Sequence, residues 1–346
     1  MRRRERRSRG PWWANEGRRG CRIAQTVLVV GLGQIGMGYD LDLEAEHVYS
    51  HSRAFSQHRD FRLIGGVDPE AERRQAFEER YQCPAYADVD AALSHDQPDL
   101  AVIASPTRIH GEILSRVLRQ STPKAVLCEK PLSDNLDEAR CMVQACSQKG
   151  VSLYVNYIRR SDPGAIEIKR RLVAGEIETP VKGVAWYSKG LRHNGSHVFN
   201  LLQYWLGSME GAQVLAPGRL WENADPEPDV RVTFVRGSIV LLAAREEAFS
   251  HCTIELLAPN GRLRYERGGQ QIDWQAVRPD PNFKGYSTLS AQPETIASGM
   301  DRYQWHVAEQ LAAAAHGRDC RLCSGVEALA TLESLQTIID TRENNH

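Results

Sequence analysis

The chain holds no apolar run approaching the roughly 20 residues that a membrane-spanning helix needs. Its basic start is not followed by the apolar stretch of a secretory signal. Charge of one sign is not in excess either: 43 Lys and Arg face 44 Asp and Glu over 346 residues. Such a balance leaves no electrostatic footprint for nucleic acid or for a membrane surface, and neither is expected as a partner. There are eight cysteines but no second C-x-x-C, so Cys320-Arg-Leu-Cys323 lacks the other pair of a four-thiolate zinc site. Nor does it open a helix of a thioredoxin-like unit. The thiols are expected to be reduced and the chain cytoplasmic. Internal repeats are lacking as well.

The balance fails only at the start, where the first 23 residues carry nine arginines and two glutamates. Residues 1–24 are expected to be a solvated, disordered tail, with Trp12-Trp13 unusual in such a segment. The remaining length allows two domains and ample core.

What is present begins at Val27-Leu-Val-Val-Gly31-Leu-Gly33-Gln34-Ile35-Gly36. Four apolar residues run into a G-x-G-x-x-G, a buried strand handing over to a helix. Gly31 permits a tight turn, Gly33 lets backbone approach a pyrophosphate, and Gly36 allows close packing. The diphosphate would sit on free N–H groups at a helix N-terminus. A glycine turn with no ligand has the same pattern. Phe61–Asp68, Asp99–Ser105, Ala125–Glu129 and Val151–Val155 follow as strands. Helices Pro69–Tyr81, Ile109–Leu118 and one capped by Asn135 and ended by Gly150 alternate with them. This is α/β, a doubly wound parallel sheet over residues 25–157. Ligands bind beyond the carboxyl ends of such strands. Gly31–Gly36, Asp68, Ser105-Pro106-Thr107, Glu129-Lys130-Pro131 and Asn156-Tyr157 should therefore converge on one crevice.

Residues 158–346 change pattern. After a helix Pro163–Ala174, alternating strands at Val181–Lys189, Val230–Val235, Ser238–Ala243, Cys252–Leu257, Arg262–Glu266 and Gln271–Trp274 predict an antiparallel meander. Asn260-Gly261 is a hairpin signal. Gly285–Gly299 reads as a long loop. Tyr303–Ala315 and Val326–Ile339 close the chain as amphipathic helices, able to pack back on the first domain.

Hydride chemistry needs a positioned acid or base beside the dinucleotide. Lys130 is one candidate, since a partly desolvated Lys can move a proton near neutrality; a surface Lys at a loop start is the alternative. His197 is the other, with His193 four residues before it. The two could flank a substrate, whereas no third ligand at a telling spacing supports a metal. A buried helix histidine remains the alternative for His197. Asp68 can accept from a ribose 2′-OH and repel a 2′-phosphate, which favours NAD over NADP. It lies further from Gly36 than usual, and Met37–His51 holds the surplus as an insertion before or within the first helix. Arg73 and Arg74 could still accommodate NADP. Arg159 and Arg160 suit a carboxylate, phosphate or sugar, or simply open a solvated helix.

Together these motifs resemble the Gfo/Idh/MocA family, the glucose–fructose oxidoreductase and inositol dehydrogenase relatives. The resemblance covers roughly residues 25–340. It rests on Val30–Gly36, Gly66-Val-Asp68, Ala104-Ser-Pro-Thr-Arg-Ile-His110, Cys128-Glu-Lys-Pro131 and Gly195-Ser-His197. It implies a Rossmann domain and a C-terminal α+β domain whose large, mostly antiparallel sheet often forms the interface of a dimer or tetramer. It implies an NAD(P)-dependent oxidoreductase acting on the CH–OH groups of a sugar, cyclitol or sugar derivative. Ser105, Pro106, Thr107, His110 and Glu129 would lie along the cofactor. Lys130 would contact nicotinamide ribose and substrate ahead of a cis bond to Pro131, and His197 would be the acid/base. Asn156, Tyr157, Arg159, Arg160 and Asn194 would line the substrate. The family's Asp-x-Gly-x-His departs here: its Asp falls on His193, and a second Asp falls on Asn200. His193 could replace the carboxylate, or Asn194 could bind substrate. The His193–His197 stretch is similar to those of relatives linked to polysaccharide or sugar-nucleotide metabolism. The missing carboxylate also raises a different reading, a non-catalytic dinucleotide-binding sensor.

Overall fold

A computed structural model describes residues 24–41, 46–245 and 249–344. The arginine-rich segment expected to be a disordered tail, with Trp12-Trp13, lies outside them.

The first unit alternates strand and helix. It runs β1 (Gln25–Val30), α1 (His51–Gln57), β2 (Phe61–Val67), α2 (Ala71–Tyr81), β3 (Ala85–Tyr86), α3 (Val89–His95) and β4 (Leu100–Ile103). It continues with α4 (His110–Gln120), β5 (Ala125–Cys128), α5 (Leu136–Gln148) and β6 (Ser152–Val155). The strands pair in parallel in the order β6-β5-β4-β1-β2-β3. Because side chains alternate along a strand, Val27 and Val29 enter the core on one face, with Phe55 and Phe77. Leu28 and Val30 enter the core on the other, with Leu114 and Val117. Such two-sided burial is why β1 reads as a continuous apolar run. The α5 cap works by relay. Asn135 Oδ1 accepts from the N–H groups of Asp137 and Glu138, and Ser133 links Glu138 to the Asn135 N–H.

The second unit contains α6 (Pro163–Ala174), β7 (Val181–Tyr187), α7 (Ser196–Leu206), β8 (Met209–Ala216), β9 (Leu220–Trp221), β10 (Asp225–Pro226), β11 (Asp229–Phe234) and β12 (Gly237–Ala243). Then come β13 (Thr253–Ala258), β14 (Gly261–Glu266), β15 (Gln271–Pro279), β16 (Ser287–Leu289), β17 (Glu294–Thr295), α8 (Tyr303–Ala315), β18 (Cys323–Ser324) and α9 (Gly325–Asn344). The large sheet is ordered β16-β15-β14-β13-β7-β12-β11-β8. It is antiparallel except for β7 beside β12, so β7 is sandwiched between two hairpin blocks and the strands do not form a simple meander. The stretch expected as a long loop contributes two short strands, β16 and β17, both paired to β15. Two closing segments return to the first sheet: β18 adds an antiparallel edge to β6, and α8 covers the Val27/Val29 face. One face of the large sheet is covered by α6, α7 and α9, while Val184, Trp186 and Leu257 stand exposed on the other.

Candidate active site

The glycine turn follows β1. Gly31 sits at φ +97°, and a β-carbon there would lie 2.5 Å from the Ala104 carbonyl oxygen. A β-carbon on Gly36 would be driven into the Gly31 carbonyl, so Gly36 closes the turn on itself. Gly33 is different: the nearest atom to a β-carbon there is Arg73 Nη1 at 3.9 Å. The N–H groups of Gly33, Gln34 and Ile35 meet no backbone acceptor among the described residues. Open space with unpaired N–H groups is what a diphosphate requires.

The helix that should follow is interrupted. Residues 33–38 make one turn, the chain loops out, and then His51 N–H bonds to Ile35 O at 3.0 Å and Ser52 N–H to Gly36 O at 2.9 Å. The ladder is thus spliced across residues 39–50, and the insertion lies within the helix. Buried Asp40 closes the splice by accepting from Tyr49 N–H and from Ser50 N–H and Oγ.

Asp68 ends β2 at 3% exposure. Its Oδ2 accepts from Leu32 N–H at 2.9 Å and its Oδ1 from Glu70 N–H at 2.9 Å, while Arg73 lies 3.5 Å away. Ser105 Oγ, beyond β4, is buried without a protein partner. Pro106 is exposed and Thr107 half-buried beside it. His110 is an internal tie, its Nε2 2.9 Å from Ser105 O and its Nδ1 3.2 Å from Pro131 O.

Beyond β5, the Lys130–Pro131 bond is cis. Glu129 Oε1 lies 2.8 Å from His51 Nε2 and accepts from Asn156 Nδ2 at 2.6 Å. Burial would raise the Glu129 pKa, but the bonds from His51 and Asn156 and the charge of Lys130 hold it below the ordinary value. Gln304, at the start of α8, backs Asn156 at 3.4 Å. Asn156 therefore serves Glu129 from behind, with its own Oδ1 left unpaired. Lys130 Nζ donates to His193 O at 3.1 Å. Burial, then Arg159, lowers Lys130 to about 8 against the raising effect of Glu129 and Asp225.

His193 and Asn194 lie on a wide π-helical turn, Gly190–Gly195, that feeds α7. Partial burial, then Lys130 and Lys189, lowers His193 to about 4. His197, one turn on, is held well below its usual value by burial and by Lys130, Arg159 and His193, so it is neutral at pH 7. Its Nδ1 is buried without a partner, and its ring meets the Tyr157 ring edge-on at 5.8 Å. Tyr157 is buried and buttresses His197. Asn194 is half-buried. Arg159 Nε bonds Gly268 O at 3.2 Å and lies near enough to act on both Lys130 and His197. Arg160 turns away to Glu327 at 2.6 Å, under the Tyr204 ring. Asn200 points into the α7–α9 packing, bonding Thr331 at 3.0 Å.

The crevice thus gathers the glycine turn, Asp68, Ser105, Lys130, His193 and His197. Sequence reasoning missed His51, Gln304 and Asp225. A signal existed for His51: with residues 39–50 removed, it follows the glycine turn directly. Asp225 and Gln304 reach the site from sequence separations of 32 and 148 residues, with no local pattern to mark them. Among the described residues no cluster of three or more His, Cys, Asp or Glu could hold a metal.

Residues 26–157 match the family described as oxidoreductase family, NAD-binding Rossmann fold, or Gfo/Idh/MocA. An inositol 2-dehydrogenase of Rubrobacter xylanophilus is 30% identical over 159 residues, covering 46% of this chain and 44% of that protein. The scyllo-inositol 2-dehydrogenase (NAD(+)) of Bacillus subtilis is 29% identical over 144 residues, covering 36% and 40%. The match therefore spans less than half the length of these relatives. The WlbA dehydrogenase of Bordetella pertussis, solved with NADH and UDP-GlcNAcA, superposes with a TM-score of 0.72 at 18% identity, covering 93% of this chain and 96% of that one. That likeness extends the shared fold through the second sheet. Through residues 26–157, this chain is similar to the NAD-binding Rossmann unit of the Gfo/Idh/MocA oxidoreductases.

Proposed function

We propose that this protein is an NAD-dependent oxidoreductase that interconverts a hydroxyl and a carbonyl on a sugar, cyclitol or sugar derivative. The observation that carries this reading is the half-buried Lys130 ammonium, set beside neutral His197 on the sheet edge that holds the unpaired glycine-turn N–H groups. The orphaned Ser105 Oγ and the open face of Gly33 fit a dinucleotide along that edge. Asp68 would take the adenosine ribose hydroxyls, and its charge disfavours a 2′-phosphate. Of the two nearby cations, Arg73 is already matched by Asp68 and by Glu70 at 3.1 Å, and Arg74 Nη1 donates to the carbonyls of Asp68 and Pro69, each at 2.8 Å. Bound there, the nicotinamide supplies or accepts the hydride. In the oxidising direction, the ammonium of Lys130 donates to the substrate oxygen, and neutral His197 takes the hydroxyl proton. Depression of the His197 pKa keeps it unprotonated and ready at any pH near neutrality. Arg159 and Asn194 would meet substrate hydroxyls.

The test is a substrate panel of myo-inositol, scyllo-inositol and UDP-linked sugars, followed at the absorbance of reduced nicotinamide. Lys130→Ala and His197→Ala should each lower kcat by roughly 10²-fold or more while NADH affinity changes little. Near-normal turnover in both variants would overturn the assignment. The imidazole at 193, where the resemblance implies a carboxylate, favours a second reading, a dinucleotide-binding sensor. Tight NADH binding with no turnover across the panel would support it.

A further inference from the structure

The turn bearing His193 is held from outside by a small hairpin, β9–β10, inserted between two strands of the large sheet. Asp225 Oδ2 accepts from His193 N–H at 2.8 Å, and its Oδ1 accepts from Arg192 N–H at 3.1 Å. Just past the hairpin, Glu227 Oε1 accepts from Gly190 N–H at 3.0 Å, with Arg219 as its cation at 2.7 Å. On the same hairpin, Trp221 stacks on the His193 ring, centroids 5.0 Å apart and planes within 21°. Lys189 and Gly190 are both at positive φ, so the turn does not follow from ordinary backbone preference. A side chain at 190 would collide with Asp225. The carbonyl side of this clamp receives Lys130: His193 gives its N–H to Asp225, and its C=O accepts from Lys130 Nζ at 3.1 Å and from Ser196 Oγ at 3.0 Å.

We propose that Asp225, a carboxylate delivered from the β9–β10 hairpin, is the positioning residue for Lys130. It fixes the carbonyl on which Lys130 rests and places a negative charge beside the ammonium. This rests on the reading of Lys130 as the group that meets the substrate oxygen. The charged neighbours of Lys130 are Glu129 from β5, Arg159 from beyond β6 and Asp225 from the hairpin. Those of Asp225 are Arg192 and Glu227; burial, then Glu227, raises its pKa against the lowering effect of Arg192 and of the bonds from the Arg192 and His193 N–H groups. From the hairpin, Asp225 thus holds the His193 turn by two backbone bonds while its charge acts on the lysine.

Reductive methylation with ¹³C-formaldehyde gives each of the seven lysines its own NMR titration. The Lys130 signal is assigned by its loss in Lys130→Arg. Asp225→Asn should lower the Lys130 midpoint by about one pH unit, and Asp225→Glu should restore it. An unchanged midpoint in a folded Asp225→Asn protein would overturn the proposal. If that variant does not fold, the amide shifts of Arg192 and His193 in the unmutated chain decide. They should move together at a midpoint above the ordinary Asp range, and no such titration would equally overturn the proposal. None of these readouts uses turnover, so a failed substrate panel leaves them standing, and an unmoved midpoint leaves the oxidoreductase reading standing.

Discussion

Lys130 is a residue whose surroundings work against its charge. Its pKa falls from 10.5 to about 8 because burial outweighs Glu129 and Asp225. Folding retains fewer protons on this group than the unfolded chain does between those two values. The group therefore opposes folding below about pH 8, and the penalty fades as pH rises towards 10.5. Lys130→Met should raise the thermal midpoint at pH 7, with a smaller gain at pH 10, as read by circular dichroism. Activity should run the other way: kcat/KM should fall as pH rises through about 8, and Lys130→Arg should move that limb beyond reach. His51 has the opposite character. It stabilises a buried carboxylate, so His51→Leu leaves Glu129 short of a donor, at a cost of about 2–4 kcal/mol in urea unfolding. The sequence points to Lys130 because it follows a buried strand at the ligand edge. His51 is hidden because its partner lies 78 residues away.

At the scale of elements, the glycine turn separates two jobs that one motif merges. A methyl group at 36 collides with the turn's own backbone, whereas one at 33 comes no closer to its neighbours than an ordinary contact with Arg73 Nη1. Gly36→Ala should lower the thermal midpoint. Gly33→Ala should leave it nearly unchanged and weaken NADH binding by about tenfold or more, measured by fluorescence titration. An unaltered NADH affinity in Gly33→Ala would remove the dinucleotide from this turn. The long strands and helices could be read directly, because burial on one or two faces imposes a period on the sequence. β1, α6 and α8 follow their patterns closely. The β9–β10 hairpin could not be read: Leu220-Trp221 and Asp225-Pro226 are too short for a period, and what the hairpin holds is distant backbone. The spliced helix lay between these cases. Surplus length between Gly36 and Asp68 marked an insertion, but only the bonds from His51 and Ser52 back to Ile35 and Gly36 show that the helix resumes after it.

At the scale of the molecule, the open face of the large sheet bears Val184, Trp186 and Leu257 in the exposed state. We propose that a second copy covers it. Trp186→Asp should shift the mass measured by light scattering to a lighter species without loss of helix content. The two sheets are bound together by α9. Its Ala328 and Leu332 lie in the core of the first sheet, and its Leu335, Ile338 and Ile339, one turn further, lie in the core of the second. A rigid rod embedded at both ends leaves no swinging joint, so the lobes cannot part like a clam shell to admit ligand. Scattering profiles with and without NADH should then superimpose. Heat should likewise melt both lobes in a single calorimetric peak, since neither can let go while the other holds the shared helix.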